Sequence, residues 1–163
     1  MAEREVHIHI DDLTMAYGSN LIQADLNFDV YKGDVFIIMG TSGCGKSTLL
    51  KHMIGLYPPA GGKIYIDGRE IGSARGEERN EILRGIGVMY QAGALFGSMN
   101  LRGNVRLPLE EFTDLPDDAM DLVAELKLSL VGLSGFEEHF PAEISGGMMK
   151  RAAIARAMAL DPA

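Results

Sequence analysis

An α/β fold organised around a phosphate-binding turn is predicted by three observations. The apolar run Val35-Phe36-Ile37-Ile38-Met39 reads as a buried strand. Gly40-Thr41-Ser42-Gly43-Cys44-Gly45-Lys46-Ser47-Thr48 reads as a glycine-rich turn, and Leu49-Leu50-Lys51-His52-Met53-Ile54 as the helix it opens. A second glycine-rich helix start, Ser145-Gly146-Gly147, lies about a hundred residues further on.

The turn at 40–48 joins a strand to a helix, the context in which a glycine, four free positions and then Gly45-Lys46-Ser47 make a phosphate cradle. Glycine lets the backbone bend so that successive amide N–H groups point inward, and the new helix adds its unsatisfied donors and positive dipole end. A nucleotide triphosphate is therefore the expected ligand. Lys46 would meet the β- and γ-phosphates as a point charge, the Ser47 hydroxyl would ligate Mg²⁺, and amides from Gly43 to Thr48 would hold phosphate oxygens. Cys44 fills a free position of the loop, and a small filler fits there better than a reactive thiol.

Ahead of the turn, Val6, Ile8 and Ile10 alternate with His7 and His9, so a strand would face the three apolar residues inward. A solvated strand face explains the two imidazoles better than a metal pair, because no third ligand is near in sequence. Ala24, Leu26, Phe28 and Val30 alternate again, and Lys32-Gly33-Asp34 turns the chain into the strand 35–39. After the loop helix, the proline- and glycine-rich stretch 55–62 is a connection to a short strand, Lys63 to Asp67, with the turn Gly68-Arg69. Arg75 to Arg84 fits an exposed helix, and Ile86 to Tyr90 a second buried strand ending at Gln91.

From Ala92 to Leu101 the chain is rich in glycine, methionine and apolar residues without a clean period, which suits an adaptable surface. Pro116 then opens an amphipathic helix whose Ala119, Leu122, Val123, Leu126 and Leu130 fall at the spacing of a buried stripe. Pro141 to Ser145 leads into Gly146-Gly147 and a small-residue helix from Met148 to Leu160, stopped by Asp161-Pro162.

The 163 residues suit one domain with a real core, and the formal charge of −8 opposes attraction to nucleic acid, which is not an expected partner. The single cysteine forms no internal disulfide. The amino end lacks an apolar signal core and no stretch approaches the roughly 18 apolar residues of a membrane span, so a cytoplasmic location is expected.

Four landmarks in order, Tyr17, the loop 40–48, Gln91, and Ser145-Gly146-Gly147 followed by Lys150-Arg151-Ala152-Ala153-Ile154-Ala155-Arg156-Ala157, resemble those of an ABC-type ATPase across the whole chain. The resemblance implies a P-loop NTPase fold: a RecA-like core with an antiparallel β subdomain over 1–91, a mainly helical subdomain over 92–144 and a signature helix over 145–163. It implies that Tyr17 stacks on adenine, and that Gln91 approaches Mg²⁺ and the attacking water and senses a transmembrane permease. It also implies that Ser145, Gly146 and Gly147 close on the γ-phosphate held by a second ATPase subunit in a head-to-tail dimer, which makes Lys46, Gln91 and Ser145 the expected catalytic set with ATP and Mg²⁺. The family usually has Leu-Ser-Gly-Gly-Gln, and Ile144 and Met148 here replace its outer residues; Met148 does not donate the glutamine's hydrogen bonds.

Gln91-Ala92-Gly93-Ala94-Leu95-Phe96, Ser98-Met99-Asn100, Asn104-Val105, Leu107-Pro108-Leu109 and Met148-Met149 look most like the ATPases of Mla/Mce-type phospholipid transporters. That likeness implies a subunit peripheral on the cytoplasmic face of the inner membrane, serving outer-membrane lipid asymmetry. Another ABC importer subunit, a soluble ABC-type module that uses ATP without a transporter, and a fragment that binds ATP without turnover stay open as alternatives. The strand that in the family carries paired acidic residues is expected beyond Ala163, so the sequence reads as the front part of a longer ATPase that would bind nucleotide better than it hydrolyses it.

Overall fold

The structure is a computed structural model that describes residues 4–91 and 93–162. It contains two compact units, Met1–Leu83 and Arg84–Ala163.

The first unit is a four-stranded antiparallel sheet with two helices. Strands β1 (Val6–Tyr17), β2 (Asn20–Tyr31), β3 (Gly61–Ile66) and β4 (Arg69–Glu70) lie in the order β2-β1-β3-β4. Gly18-Ser19 joins β1 to β2, with Gly18 at φ +59°, the left-handed geometry a two-residue hairpin loop needs. Alternation alone would turn Leu13 outward if Ile10 faces in. Instead the register slips between Ile10 and Leu13, Asp12 sits at φ +48°, and Ile10, Leu13 and Met15 are all fully buried. The Asn27 side chain accepts a hydrogen bond from Asp12 N–H at 2.8 Å and so steadies the bulge. Ile64, Ile66, Ile71 and Ile82 complete this core with Leu49 and His52 of helix α1 (Lys46–Met53), while α2 (Gly76–Arg84) follows as a charged helix. The two imidazoles pair with carboxylates, His7 with Asp67 at 2.9 Å and His9 with Asp29 at 2.6 Å, and no metal-binding group occurs among the described residues.

The run 35–39 belongs to no secondary-structure element and is not a buried strand. Val35 is 90% and Met39 85% exposed, and only Phe36 finds an aromatic neighbour, stacking on Phe28 at 5.2 Å. The physical reason is pairing: a strand needs backbone partners on its flanks, and no described strand lies beside it. Residues 86–90, in the second unit, likewise form no strand, in contrast to the expectation for that run.

The second unit is helical: α3 (Leu101–Phe112), α4 (Asp117–Leu130) and α5 (Gly146–Ala157). Asn100 caps α3 by accepting from Gly103 N–H at 2.8 Å. Its core joins Leu101, Val105, Leu109, Met120, Ala124, Leu128 and Leu133 to Ala152, Ala155 and Ala159, and alanines on α4 and α5 let helix axes approach closely. The buried face of α4 is Met120, Ala124, Lys127 and Leu128. The expected stripe is thus corrected: Leu122, Leu126 and Leu130 are 69%, 56% and 62% exposed, and the core takes the neighbouring arc because Ala124 gives the closer approach. Lys127 reaches out of that core to pair with Asp161. Arg106 ties α3 to α4 through Asp121 at 2.7 Å and Asp117 at 2.6 Å, hydrogen bonds that push its pKa up.

Candidate nucleotide site

The loop after residue 39 carries the geometry of an anion cradle. Gly43 and Gly45 stand at φ +82° and +100°, conformations that L side chains rarely adopt, and Gly45 is the residue from which α1 starts. No side chain caps that helix start, so its first N–H groups are left for another acceptor. A Cβ at Gly40 would lie 2.4 Å from Cys44 Sγ, which would have to turn aside, and one at Gly45 would make a tight contact of 3.0 Å with Ile22 Cγ2. Cys44 is the filler above Gly40.

Lys46 is folded back into the loop. Its ammonium donates to the carbonyl oxygens of Gly40 and Thr41, each at 2.7 Å. A cation resting on two carbonyl dipoles is poised to exchange them for phosphate oxygens, which offer charge-assisted bonds. Ser47 is exposed beside it, and Thr48 half-buried. A residue that sequence reasoning missed fixes the loop from behind: Gln23 of β2 donates from Nε2 to the Cys44 carbonyl at 3.0 Å. Only the fold brings that side chain to the loop, so no local pattern marks it. Tyr17, at the end of β1, is 45% exposed, and the Tyr57 ring meets it edge-on at 5.8 Å.

In the second unit, Gln91 is exposed in a turn closed by Gly93 N–H donating to Tyr90 carbonyl at 2.8 Å. Ser145 Oγ accepts from Met148 N–H at 3.3 Å, which makes it the N-cap of α5, and Gly146 and Gly147 are exposed bare backbone in its first turn. Ile144 and Met148 pack against the helical core, which accounts for their apolar character. Two further side chains, which the sequence offered only as part of the resemblance, make contacts that the sequence did not reveal. Asn104, fully buried, accepts from Phe96 N–H and donates to the carbonyls of Phe96, Met99 and Asn100. Arg156 donates to the carbonyls of Ala94 and Gly93 at 2.7 and 2.9 Å, and burial pulls its pKa below the ordinary value.

Known proteins resemble this chain over most of its length. A family model described as ABC transporter matches residues 23–163. The "Probable ribonucleotide transport ATP-binding protein mkl" of Mycobacterium leprae is 49% identical over 158 residues, covering 96% of this chain and 45% of that protein. The "Intermembrane phospholipid transport system ATP-binding protein MlaF" of Haemophilus influenzae is 42% identical over 155 residues, covering 95% of this chain and 59% of that protein. The chain thus spans about half the length of the curated relatives it matches. Among solved structures, a dimeric ATP-binding cassette in a post-hydrolysis state bound to ADP and Pi superposes with a TM-score of 0.85 at 31% identity, covering 95% of this chain and 70% of that one. With most of its length matched by that family model, this chain belongs to the ABC transporter family.

Proposed function

We propose that this chain supplies the nucleotide-binding machinery of an ABC transporter ATPase, which converts ATP and water to ADP and phosphate and powers phospholipid movement between membranes. The observation that carries the ATP part is the loop of 40–48, with Lys46 held on two carbonyls over an uncapped helix start. In this reading Lys46 exchanges Gly40 and Thr41 for the β- and γ-phosphates. The amides of Gly43 to Thr48 hold phosphate oxygens, Ser47 and Gln91 hold Mg²⁺, and Tyr17 offers its half-exposed ring to adenine. Mg²⁺ supplies neutralising charge on the phosphate oxygens when it is bound. Gln91 orients the attacking water. Ser145, Gly146 and Gly147 present a hydroxyl and bare amides to the γ-phosphate of a second subunit, head to tail.

The partners are that second ATPase subunit and transmembrane permease subunits, met through the surface that follows Gln91, on the cytoplasmic face of the inner membrane. No helix among the described residues is long and apolar enough to cross a membrane, which is compatible with a peripheral subunit. The phospholipid cargo rests on the MlaF likeness and on the segment from Gln91 to Leu109. A ribonucleotide cargo is the second reading, favoured by the 49% identity to the mkl protein.

The test is the full-length protein with its permease in proteoliposomes. Expected are ATP hydrolysis that phospholipid stimulates and ribonucleotide does not, and loss of about 10²-fold in turnover for Gln91→Ala with Mg-ATP affinity retained. Stimulation by ribonucleotide alone would move the cargo to the second reading. Hydrolysis unaffected by Gln91→Ala would remove that residue from the mechanism.

A further inference from the structure

We propose that Arg156 is a positioning residue that locks the Gln91 loop to the signature helix α5, so that the two move as one body. The proposal rests on the reading of Gln91 and Ser145 given above. It starts from a pair of bonds: one guanidinium donates to two successive backbone carbonyls, Gly93 at 2.9 Å and Ala94 at 2.7 Å. Two donors of one rigid fork on neighbouring carbonyls fix the direction of that backbone as well as its distance.

The loop is built to receive the fork. Gly93 is buried at φ +76°, and a Cβ there would lie 3.4 Å from both Ala153 Cβ and the Met149 carbonyl, so bare backbone rests directly on α5. Ala94 stands at φ +48°, a conformation alanine rarely adopts, and its carbonyl is one of the two that Arg156 holds. Upstream, Gly87 is pressed on the far end of the same helix, where a Cβ would meet the Ala157 carbonyl at 2.3 Å. The backbone on both sides of Gln91 is therefore seated on α5, while Gln91 itself is exposed and available. The same helix carries Ser145 as its N-cap, roughly 16 Å along its axis from Arg156. A shift of the glutamine loop is thereby transmitted as a shift of the Ser145-Gly146-Gly147 tip. Arg156 touches neither nucleotide nor water in this scheme; it acts through Gln91.

The test compares Arg156→Met, which keeps the aliphatic stem but no donor, with Arg156→Lys, which reaches one carbonyl, in the full-length protein with its permease. For the methionine variant we expect turnover to fall about 10²-fold, with Mg-ATP affinity and KM within about twofold of wild type. Amide exchange should rise over 93–95 while α5 keeps its protection, and the lysine variant should recover part of the turnover and of the protection. Unchanged turnover, or losses of affinity, thermal stability and turnover in parallel with no recovery in the lysine variant, would overturn the proposal. If the methionine variant does not fold, the lysine variant carries the test: wild-type turnover and exchange in it would overturn the proposal. A wild-type protein that neither binds nor hydrolyses ATP would sink the ATPase reading instead, and the exchange measurement would still report on the clamp.

Discussion

Replacing Asn104 is the sharpest local perturbation the helical unit offers. The residue is fully buried, and its amide makes four hydrogen bonds: it accepts from Phe96 N–H at 2.7 Å and donates to the carbonyls of Phe96 at 3.1 Å, Met99 at 3.1 Å and Asn100 at 3.0 Å. It is the template around which residues 96–100 fold before Asn100 caps α3. At about 0.5 to 1.5 kcal/mol net for each bond, with the two amide hydrogens shared among the three carbonyls, Asn104→Ala should cost roughly 2 to 4 kcal/mol. Asn104→Asp is the harsher change in one respect, since it keeps the acceptor for Phe96 N–H but turns an oxygen toward three carbonyl oxygens. Buried there without a donor, the carboxyl should have its pKa raised, so the folded state binds a proton the unfolded chain does not, and the variant should lose stability as pH rises above about 4. The assay is amide exchange at Phe96, with urea midpoints measured alongside. A loss of 2 to 4 kcal/mol in local opening corresponds to roughly 30- to 10³-fold in protection. Wild-type protection of Phe96 in the alanine variant, or an aspartate variant as stable as wild type at pH 7, would refute the reasoning.

Other predictions follow from single sites. Gly62 stands at φ +74° with the Asp12 carbonyl oxygen 2.2 Å from where a Cβ would be, so Gly62→Ala should cost about 2 to 3 kcal/mol and lower the melting temperature by roughly 5 to 10 °C. Gly18→Ala, at φ +59° with open space around it, should cost only about 1 kcal/mol, and equal losses at the two sites would contradict the steric account. Partial burial pulls the Asp67 pKa up, but the hydrogen bond and charge of His7 and the charge of Lys32 outweigh it and hold the carboxyl below its usual range. Its folded pKa is depressed, so the stability it contributes is present above the unfolded value near 4 and is lost as pH falls through the folded one. Asp67→Asn should therefore flatten the acid limb of a urea-midpoint profile between about pH 2 and 5, and an unchanged limb would count against the pairing.

The loop of 40–48 and the helix start at Ser145 were legible in the sequence because each is a local device: glycines for backbone geometry, a hydroxyl for a cap, a lysine within reach of its own turn. The β hairpin was legible from alternation up to Ile10, after which the bulge at Asp12 breaks the period. Helix α3 was hidden by Gly103 and Pro108, which contradict a helix locally and are overridden by the Asn100 cap and by the burial of Leu101, Val105 and Leu109. The face of α4 was misread because apolar residues surround more of the helix than one neighbour can cover, and packing against alanines selected the arc. The run 35–39 has the composition of a buried strand, but burial depends on flanking strands that composition does not supply. The contacts of Gln23 and Arg156 left no trace, since a side chain donating to a distant backbone carbonyl has no periodicity.

The central claim is that the cradle of 40–48 holds the triphosphate of Mg-ATP through Lys46. Calorimetric titration of ATP into the full-length protein, with and without Mg²⁺, tests it most directly. Expected is saturable binding that depends on Mg²⁺ and weakens by about 10- to 100-fold in Lys46→Ala, the worth of charge-assisted hydrogen bonds from one ammonium. No Mg²⁺-dependent heat in the folded protein, or wild-type affinity in Lys46→Ala, would contradict it.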